Sequence, residues 1–367
     1  MPSDTQTQTQ PETAVFPLLT DPAGYEACPW DLAADADFRP YWMELFRSHF
    51  VSLLEHAAEE LADRDIAPDA PVAAARDAFH AYLDRVEVEP DAFGRLDVLS
   101  ICEARELALR DAGIADPYRL VKTRENARAL GVLPALLAEL DALPDVERHT
   151  AVIEGVFAGN IFDMGAAETL ELFKSGSVDF SSVRAKLKPR PFDALDPWLV
   201  RMADAEAGRP YHAAVLFVDN AGPDVVLGML PLARELVKQG TTVVLSANTL
   251  PSLNDVTHDE LVELVERVSA FDPVLDRAVR EGRLWLIASG NGAPLIDLSR
   301  VAPDLASVVG AFGVDLVVLE GMGRSIESNF DAAFTCDALW LAMLKDEGVA
   351  RHIGAEPFDL VMRFAPA

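Results

Sequence analysis

The sequence has little cysteine, and the cysteines it has are not clustered. Its 367 residues include three, Cys28, Cys102 and Cys336, which lie far apart and form no Cys-x-x-Cys pair. An odd number of scattered cysteines argues against a disulfide framework and a cysteine-ligated zinc site, and it is typical of proteins in a reducing cytosol.

Basic residues are also scarce. The chain has 31 lysines and arginines against 60 aspartates and glutamates, which gives a formal net charge of −29 at pH 7. Nucleic acids and anionic membrane surfaces are bound through basic faces, so this charge argues against both as main partners. A small basic pocket for a small-molecule ligand is still compatible with it.

Two further absences concern the location of the protein. No apolar run approaches the ~20 residues that a membrane-spanning helix needs. The chain begins Met-Pro-Ser-Asp-Thr-Gln-Thr-Gln-Thr-Gln, which lacks the basic and apolar parts of a signal peptide. These features predict a cytoplasmic protein.

The character of the sequence changes along the chain. Residues 1–14 are polar and low in complexity, which is typical of a disordered tail. Residues 15–185 are mainly helical in pattern, residues 186–200 form a proline-rich connection, and residues 201–367 alternate apolar strands with helical segments. Because strand–helix alternation is typical of a parallel sheet with helices on both faces, we predict an N-terminal α-helical domain and a C-terminal α/β domain.

The pattern also gives approximate bounds for these elements. It predicts a first helix from about residue 38 through Leu61 and later helices at 72–85, 98–113, 116–128, 131–142 and 146–158. It predicts strands at 213–218, 242–247, 283–288, 315–319 and 358–364, with helices between them at 224–239 and 258–281. The apolar run 338–344 is interpreted as a further helix, which Lys345 closes.

Polar residues follow the predicted strands at their carboxyl ends. Asp219 and Asn220 come directly after the first strand, and Asp255 lies in the loop after the second. Ligands of open α/β sheets collect at these strand ends, and three oxygen ligands of this kind favour Mg²⁺ or Mn²⁺ over zinc. The alternative is that Asp219 caps a helix beginning near Gly222 and that Asp255 or Thr257 caps the helix from 258.

Glycines and an arginine follow the fourth strand. Gly321 and Gly323 would let backbone amides approach an anion, and Arg324 would be a fork-shaped donor to it, although glycines at this place also simply form turns. The run lacks the third glycine of a dinucleotide-binding fingerprint, and the chain has no Gly-x-x-x-x-Gly-Lys-Ser/Thr. NAD binding and a P-loop kinase are therefore disfavoured.

Three more polar residues have two interpretations each. Lys345 is either a phosphate-binding cation or a lysine that faces solvent at a helix C-terminus. Asn160 and Asp163 interrupt a helical region beside Gly159, and they form either a helix–helix turn or a loop that reaches over the metal.

Several ordered motifs resemble the DUF89 damage-control phosphatases, and the nearest subgroup is the phosphatase domain at the C-terminus of pantothenate kinase fusion proteins. The resemblance runs from about residue 16 to the end of the chain. The main motifs are Ala-Gly-Asn-Ile-Phe-Asp at 158–163, Phe-Val-Asp-Asn-Ala-Gly at 217–222, Leu-Asn-Asp-Val-Thr-His at 253–258 and Glu-Gly-Met-Gly-Arg at 320–324. Shorter matches include Lys-Thr-Arg-Glu-Asn at 122–126.

The resemblance implies a Rossmann-like α/β/α core with a mostly parallel sheet, a helical domain and a metal-dependent phosphatase activity. The family's metal ligands map onto Asp219, Asn220 and Asp255, with Mg²⁺ or Mn²⁺, or alternatively Co²⁺ or Ni²⁺, as the ion. In the pantothenate-kinase-linked subgroup the substrates are 4′-phosphopantetheine and its oxidised forms.

The resemblance also implies roles for individual residues. The family's phosphate-facing and substrate-facing positions map onto Asn160, Asp163, Arg324 and Lys345. Arg324 and Lys345 would then neutralise charge on the phosphoryl oxygens. Asp219 would take part directly, either as nucleophile or as the base for a water molecule.

Other functions are compatible with parts of this pattern. A sugar-phosphate phosphatase would keep the same chemistry with a different alcohol. A methyltransferase would need a glycine-rich loop after the first strand, where this chain has Asp-Asn-Ala-Gly-Pro-Asp. A non-catalytic metabolite-binding or regulatory protein would have no need of the complete acidic set and the basic residues.

Overall fold

The computed structural model describes residues 12–162, 192–203 and 210–367. Within these ranges the strands are β1 Phe192–Asp193, β2 Ala213–Phe217, β3 Thr242–Ala247, β4 Leu284–Ala288, β5 Leu316–Glu320, β6 Asp337–Met343 and β7 Leu360–Ala365. The α-helices are α1 Arg39–Asp63, α2 Asp69–Val88, α3 Val98–Asp111, α4 Arg119–Ala142, α5 Asp145–Phe162, α6 Leu195–Ala203, α7 Leu230–Lys238, α8 His258–Ser269, α9 Pro273–Arg280, α10 Pro303–Ala311 and α11 Glu347–His352. Two π-helices, Asp224–Met229 and Met322–Glu327, complete the set.

The described strands form one seven-stranded sheet in the order β1-β7-β6-β5-β2-β3-β4. All neighbouring pairs are parallel except β6 and β7, which are antiparallel. From β2 the chain adds β3 and β4 on one side, and it later returns to add β5 and β6 on the other. The sheet therefore reverses its direction of growth between β2 and β5, which is the point where α/β folds bind ligands.

The five predicted strands are present, within one or two residues of their bounds. The interpretation of residues 338–345 as a helix is wrong, because residues 337–343 form β6 and Lys345 lies beyond its end. Residues 338–343 are buried on both faces of the sheet. The run therefore lacks the alternation of polar and apolar residues that identifies a half-exposed strand. A short apolar run of this kind does not distinguish a buried strand from a buried helix.

The helical region also departs from the prediction at one place. A single helix, α4, covers the two segments predicted at 116–128 and 131–142, and it passes through Gly131 and Pro134. Downstream, the predicted helix 258–281 is two helices, because Asp272 caps a new helix that begins at Pro273. Tertiary packing overrides the helix-breaking tendency of Pro134, whereas Asp272 accepts a hydrogen bond from the backbone of Leu275 and so starts a new turn.

The segment before α1 lies on the body of the protein. Phe16 is fully buried between the rings of Phe217 and Phe334. Short backbone bridges join Ala14 to Val301 and Leu19 to Phe334. This segment closes one face of the sheet, where helix α10 also packs.

Helices α1, α2 and α3 pack on one another and on the C-terminal part of the chain around one apolar cluster, which includes Phe50, Phe79, Leu344 and Val361. Helices α4 and α5 instead pack on the π-helix Asp224–Met229 that follows β2. The helical region thereby covers the carboxyl edge of the sheet. No helix within the described residues is long and apolar enough to span a bilayer.

Candidate active site

Each of the two π-helices follows one of the adjacent strands β2 and β5. One begins five residues after Asp219 and the other two residues after Glu320, so both start at the edge where the sheet reverses its direction of growth. π-Helices are rare and frequently occur at functional sites. The backbone nitrogen of Asp219 donates to Oε2 of Glu320 at 2.9 Å, which joins the two strand ends directly.

Buried carboxyl and amide groups alternate at this edge. Nδ2 of Asn220 donates to Asp219 Oδ2 at 2.8 Å and to Asp224 Oδ2 at 2.9 Å. Nδ2 of Asn160 donates to Asp224 Oδ2 at 3.1 Å and to Glu320 Oε1 at 3.0 Å. All five side chains are less than one-tenth exposed. The two amides thus fix the orientation of three carboxyl groups.

The position of Asn160 follows from two close backbone contacts between α5 and the first π-helix. A Cβ on Gly159 would lie 2.9 Å from Cα of Asp224, and a Cβ on Gly228 would lie 3.0 Å from Cα of Val156. Glycine at both positions lets the helices touch, which brings Asn160 within reach of Asp224. Asn160 lies inside α5, so the prediction that it belongs to a turn or loop is wrong.

Arg324 connects the acidic cluster to the loop after β3. Its guanidinium forms ion pairs with Asp219 and, through Nη2 at 2.9 Å, with Asp255 Oδ2. Nη2 also donates to Oδ1 of Asn248 at 3.1 Å, and Asn248 in turn donates to Asp255. Arg324 is fully buried, and burial lowers its pKa to about 9, so the guanidinium is charged at neutral pH.

Backbone bonds hold the Asp255 loop against the end of β2. The backbones of Asn220 and Asp255 pair in a short antiparallel bridge, and the nitrogen of Val256 donates to the carbonyl of Asp219 at 2.9 Å. Thr257, one of the two residues predicted for this role, caps the helix that begins at His258, and Asp255 does not. The π-helix after β2 has Pro223 at its N-cap and no side-chain cap, so Asp219 does not cap it either. Helix capping therefore does not account for either aspartate.

Helix α4 supports both loops through two side chains one turn apart. Nζ of the fully buried Lys122 donates to the carbonyl of Asp255 at 3.3 Å and pairs with Asp116 and Glu260 at 2.9 Å each. Oδ1 of Asn126 accepts from the nitrogen of Gly222 at 2.6 Å. These contacts explain the Lys-Thr-Arg-Glu-Asn motif, whose first and last residues hold the backbone of the two acidic loops.

The acidic cluster opens into a cavity of about 520 Å³ between the sheet edge and the helical region. That volume lies within the ~300–1,000 Å³ typical of small-molecule sites. Asp219, Asn220, Asp255, Gly323 and Lys345 contribute to its wall. The opposite wall is largely apolar and comes mainly from α1 and α3.

The structure therefore brings together most of the residues that the sequence predicts for the site. Gly321 lies behind the cavity, where its missing side chain makes room for Asp219. Asn160 is 1% exposed and its side-chain nitrogen is bound to Asp224 and Glu320, so it is placed to orient these carboxyl groups. Asp163 lies outside the described residues. The roles of these residues in catalysis and in metal and phosphate binding stay predictions.

A divalent cation fits the chemistry of this site. Carboxylate oxygens of Asp219, Asp224 and Glu320 lie within 4.8 Å of one another. With Asp255, the cluster holds four buried carboxyl groups and one guanidinium, that of Arg324. Buried charge is costly unless it is compensated, so this excess of oxygen ligands favours a bound cation. Of the four carboxyl groups, those of Asp219 and Asp255 line the cavity.

Several residues of the site were given no role by the sequence analysis. They are Lys122, Asn126, Asp224, Asn248 and Glu320 at the acidic cluster, with Arg105 and Glu327 in the cavity wall. Glu320, Lys122 and Asn126 lie within quoted motifs, so a signal was present for them. Asp224 and Arg105 lie in ordinary helical sequence, and only the fold shows their positions.

The fold and this site define an α/β protein with an acidic small-molecule site at the carboxyl edge of its sheet. Residues 36–361 match the profile of the damage-control phosphatase ARMT1-like domain. The chain therefore belongs to the ARMT1-like, or DUF89, damage-control phosphatase family, which confirms the resemblance seen in the sequence. A DUF89 family protein from Pyrococcus horikoshii shares the fold, with a TM-score of 0.63 at 14% identity over 88% of this chain and 96% of that one.

Curated relatives include proteins of different length. Pantothenate kinase 2 of Arabidopsis thaliana is 40% identical over 97% of this chain and 42% of its own length. The 4′-phosphopantetheine phosphatase of Mus musculus is 32% identical over 95% of this chain and 48% of its own length. A damage-control phosphatase of Arabidopsis thaliana is 36% identical over 96% of this chain and 97% of its own length. The chain thus spans less than half of the first two proteins and nearly all of the third.

Proposed function

We propose that this protein is a divalent-metal-dependent phosphatase of small phosphate monoesters, with 4′-phosphopantetheine and its oxidised forms as substrates. The observation that carries the proposal is that Asp219, Asn220, Asp255 and Lys345 share the wall of one cavity. The mouse relative, whose name states the activity, supports the choice of substrate.

Asp219, Asn220 and Asp255 are the proposed metal ligands. Asp219 and Asp255 offer carboxylate oxygens at the cavity, whereas Asp224 and Glu320 are almost completely buried and accept hydrogen bonds from the two amides. Both side-chain hydrogen bonds of Asn220 use Nδ2, which leaves its amide oxygen for an ion. When bound, a divalent cation withdraws electron density from a phosphoryl oxygen.

The protein's own groups have three tasks in this proposal. Lys345 at the cavity wall, and the buried Arg324 behind Asp219 and Asp255, supply positive charge near the phosphoryl oxygens, which gain negative charge. Asp219 either attacks phosphorus, forming an aspartyl phosphate that a water molecule then hydrolyses, or takes the proton of a water molecule that attacks phosphorus directly. In both routes the bond between phosphorus and the alcohol oxygen breaks, and the alcohol takes a proton from solvent. Asn160, Asp224 and Glu320 hold Asp219 and Asn220 in position.

Phosphate release tests the proposal. The substrates are 4′-phosphopantetheine, its S-oxidised form and fructose phosphates, each assayed with EDTA and then with added Mg²⁺, Mn²⁺, Co²⁺ or Ni²⁺. We expect metal-dependent turnover that favours the pantetheine compounds. Turnover of fructose phosphates alone would contradict the substrate, and no turnover with any metal would contradict the enzymatic function and favour a binding or regulatory role.

A pair of variants connects the activity to the site. Asp219→Asn removes a charge from the acidic cluster and should leave less than a few per cent of kcat. Asp315→Asn is the matched control, because Asp315 accepts from the nitrogens of His212 and Ala213 at the opposite end of β2. It should keep nearly full activity. If both variants lost activity to a similar extent, the loss would reflect general destabilisation of the fold and not a role of Asp219 in catalysis.

A further inference from the structure

Glu327 is a buried carboxyl group that has no hydrogen-bonded or ion-paired partner among the residues that the structure describes. It ends the second π-helix, its side chain is 6% exposed, and it lines the cavity. Among the described residues, none forms a hydrogen bond or ion pair with its carboxyl group. A buried carboxyl group without a partner is costly, so a position of this kind in a cavity indicates that a ligand supplies the missing hydrogen bonds.

The charged groups around Glu327 explain why it stays unpaired. Arg105 on α3 is near, but its Nε and Nη2 both donate to Oε1 of Glu106, at 3.0 and 2.6 Å. Glu106 also accepts from the hydroxyl of Ser252 at 2.8 Å. Arg105 is therefore neutralised and held by Glu106, and it does not reach Glu327.

The surroundings also set the protonation of Glu327. Burial and, to a lesser extent, the charge of Asp346 raise the pKa of Glu327 to about 8, against the opposing effect of the Arg105 charge. At neutral pH the group is therefore mostly a neutral carboxyl. A neutral carboxyl offers both an O–H donor and a carbonyl acceptor to the same ligand group.

The rest of the wall limits which ligand group can lie there. The cavity wall outside the acidic cluster has a group of apolar and aromatic side chains, among them Trp42, Leu45, Phe46, Leu295 and Met322, and it also includes the polar residues His49, Arg105, Lys345, Asp346 and Glu347. Where a polyol chain lies against the apolar side chains, its hydroxyl groups have no partners. A mainly apolar chain with an amide group leaves one donor and one acceptor to satisfy, which is what the carboxyl of Glu327 offers.

We propose that Glu327 is a substrate-binding residue that hydrogen-bonds an amide in the alcohol part of the phosphate ester, and so selects amide-bearing esters over short ones. This inference rests on the proposed phosphatase function, and it adds the residue that recognises the alcohol. The phosphate lies at the acidic end of the cavity, and the amide lies at Glu327.

Kinetics with two substrates test the inference. Glu327→Met keeps the length of the side chain and removes its polar atoms, whereas Glu327→Gln keeps a donor and an acceptor. We expect Glu327→Met to raise the KM for 4′-phosphopantetheine at least tenfold, and Glu327→Gln to change it less than about threefold. For p-nitrophenyl phosphate, which has no amide, kcat/KM should stay within about twofold in both variants. Equal losses with both substrates, or no loss with either, would overturn the inference.

Binding of the free alcohol separates this inference from the proposed function. Ligand-observed NMR with pantetheine, which has the amides and no phosphate, measures affinity without any turnover. Wild type and Glu327→Gln should bind pantetheine, and Glu327→Met should bind it at least tenfold more weakly. This result would support the role of Glu327 even if no ester were hydrolysed. Absence of pantetheine binding to the wild type, or equal binding to Glu327→Met, would overturn it.

The variants are expected to fold. Glu327→Met replaces a buried carboxyl that has no hydrogen-bonded partner among the described residues with an apolar side chain of similar length, so its melting temperature should not fall below that of the wild type. If Glu327→Met does not fold, Glu327→Ala provides the same comparison with pantetheine, because it also removes both polar atoms. Pantetheine binding to Glu327→Ala at least tenfold weaker than to the wild type would support the inference, and equal binding would overturn it.

Discussion

The carboxyl group of Asp219 lies directly against the backbone of Gly321. A Cβ at position 321 would lie 2.7 Å from Cβ of Asp219 and would overlap its carboxyl group. Gly321 also has φ of +93°, in the region that disfavours residues with a side chain. The glycine is therefore required both by its own conformation and by the neighbouring aspartate.

We predict that Gly321→Ala displaces Asp219 and lowers kcat/KM at least 100-fold, since a shift of about 1 Å in a reacting group can have that effect. The variant should also lose about 2 kcal/mol of unfolding free energy or more. Phosphatase assays and urea denaturation measure the two effects.

Gly310→Ala is the control for this substitution. Gly310 lies in helix α10, and a Cβ there would meet no atom within 4 Å. Alanine favours the helix, so this variant should keep its activity and gain up to about 1 kcal/mol of stability. Full activity in Gly321→Ala would show that Asp219 tolerates displacement or does not take part in catalysis.

Lys122 supplies a second prediction, because it is a fully buried cation that holds the carbonyl of Asp255. Lys122→Met leaves Asp116 and Glu260 without their shared cation. Removing one member of a buried ion pair typically costs about 3–5 kcal/mol, and we expect a loss of unfolding free energy of that size. The Asp255 loop should also bind its metal more weakly, which a titration with Mn²⁺ measures.

Lys238→Met is the matched control. Lys238 also pairs with two carboxylates, Asp141 and Glu235, but it is partly exposed. Its two carboxylates keep other basic partners, Arg234 for Asp141 and Arg148 for Glu235, so this variant should lose only about 1 kcal/mol or less and keep its affinity for Mn²⁺. If the two lysine variants were destabilised equally, burial of Lys122 would not be the reason for its effect.

The sequence was most informative where local pattern and fold agree. Strand ends in a parallel sheet converge, so Asp219 and Asp255 could be placed together without a structure. The prediction was wrong at residues 338–345, because complete burial removes the polar side that reveals a strand. The prediction of a turn or loop at Asn160 was also wrong, because the position of Asn160 depends on the contact of Gly159 with the first π-helix. That contact joins segments more than sixty residues apart, which no local pattern shows.

The residues of the cavity wall could not be identified from the sequence, for a related reason. Arg105 and Glu327 lie on different elements, and neither belongs to a spacing that identifies a site. Their importance follows from burial and from which partners they have, and both are properties of the folded chain. Residues that support a site through long-range contacts are therefore the ones that sequence reasoning misses.

Glu235 gives the last prediction, which concerns stability in acid. It is 3% exposed and contacts three basic side chains, Arg148 at 3.0 Å, His149 at 3.2 Å and Lys238 at 3.2 Å. Burial alone would raise its pKa, but hydrogen bonds from His149 and Arg148 and the charge of Lys238 outweigh burial and hold it at about 2.

The sign of the effect follows from this lowered pKa. A carboxyl group with a lower pKa in the folded state stabilises the protein fully above its unfolded pKa of about 4.5. The contribution is lost as the pH falls through the folded pKa of about 2. At 1.36 kcal/mol per unit of pKa, the contribution at neutral pH is on the order of 3 kcal/mol. We therefore expect Glu235→Gln to be less stable than the wild type at pH 7, and the difference to shrink between about pH 5 and pH 2.

Urea denaturation at pH 7, 5, 3.5 and 2.5 measures this convergence. Glu281→Gln is the control, because Glu281 is exposed and its pair with Arg283 is screened by solvent. Its stability should follow that of the wild type at every pH. A constant difference between Glu235→Gln and the wild type over this range would show that the carboxyl group acts through packing or hydrogen bonding alone. Convergence would show that its charge, held by three basic neighbours, stabilises the fold.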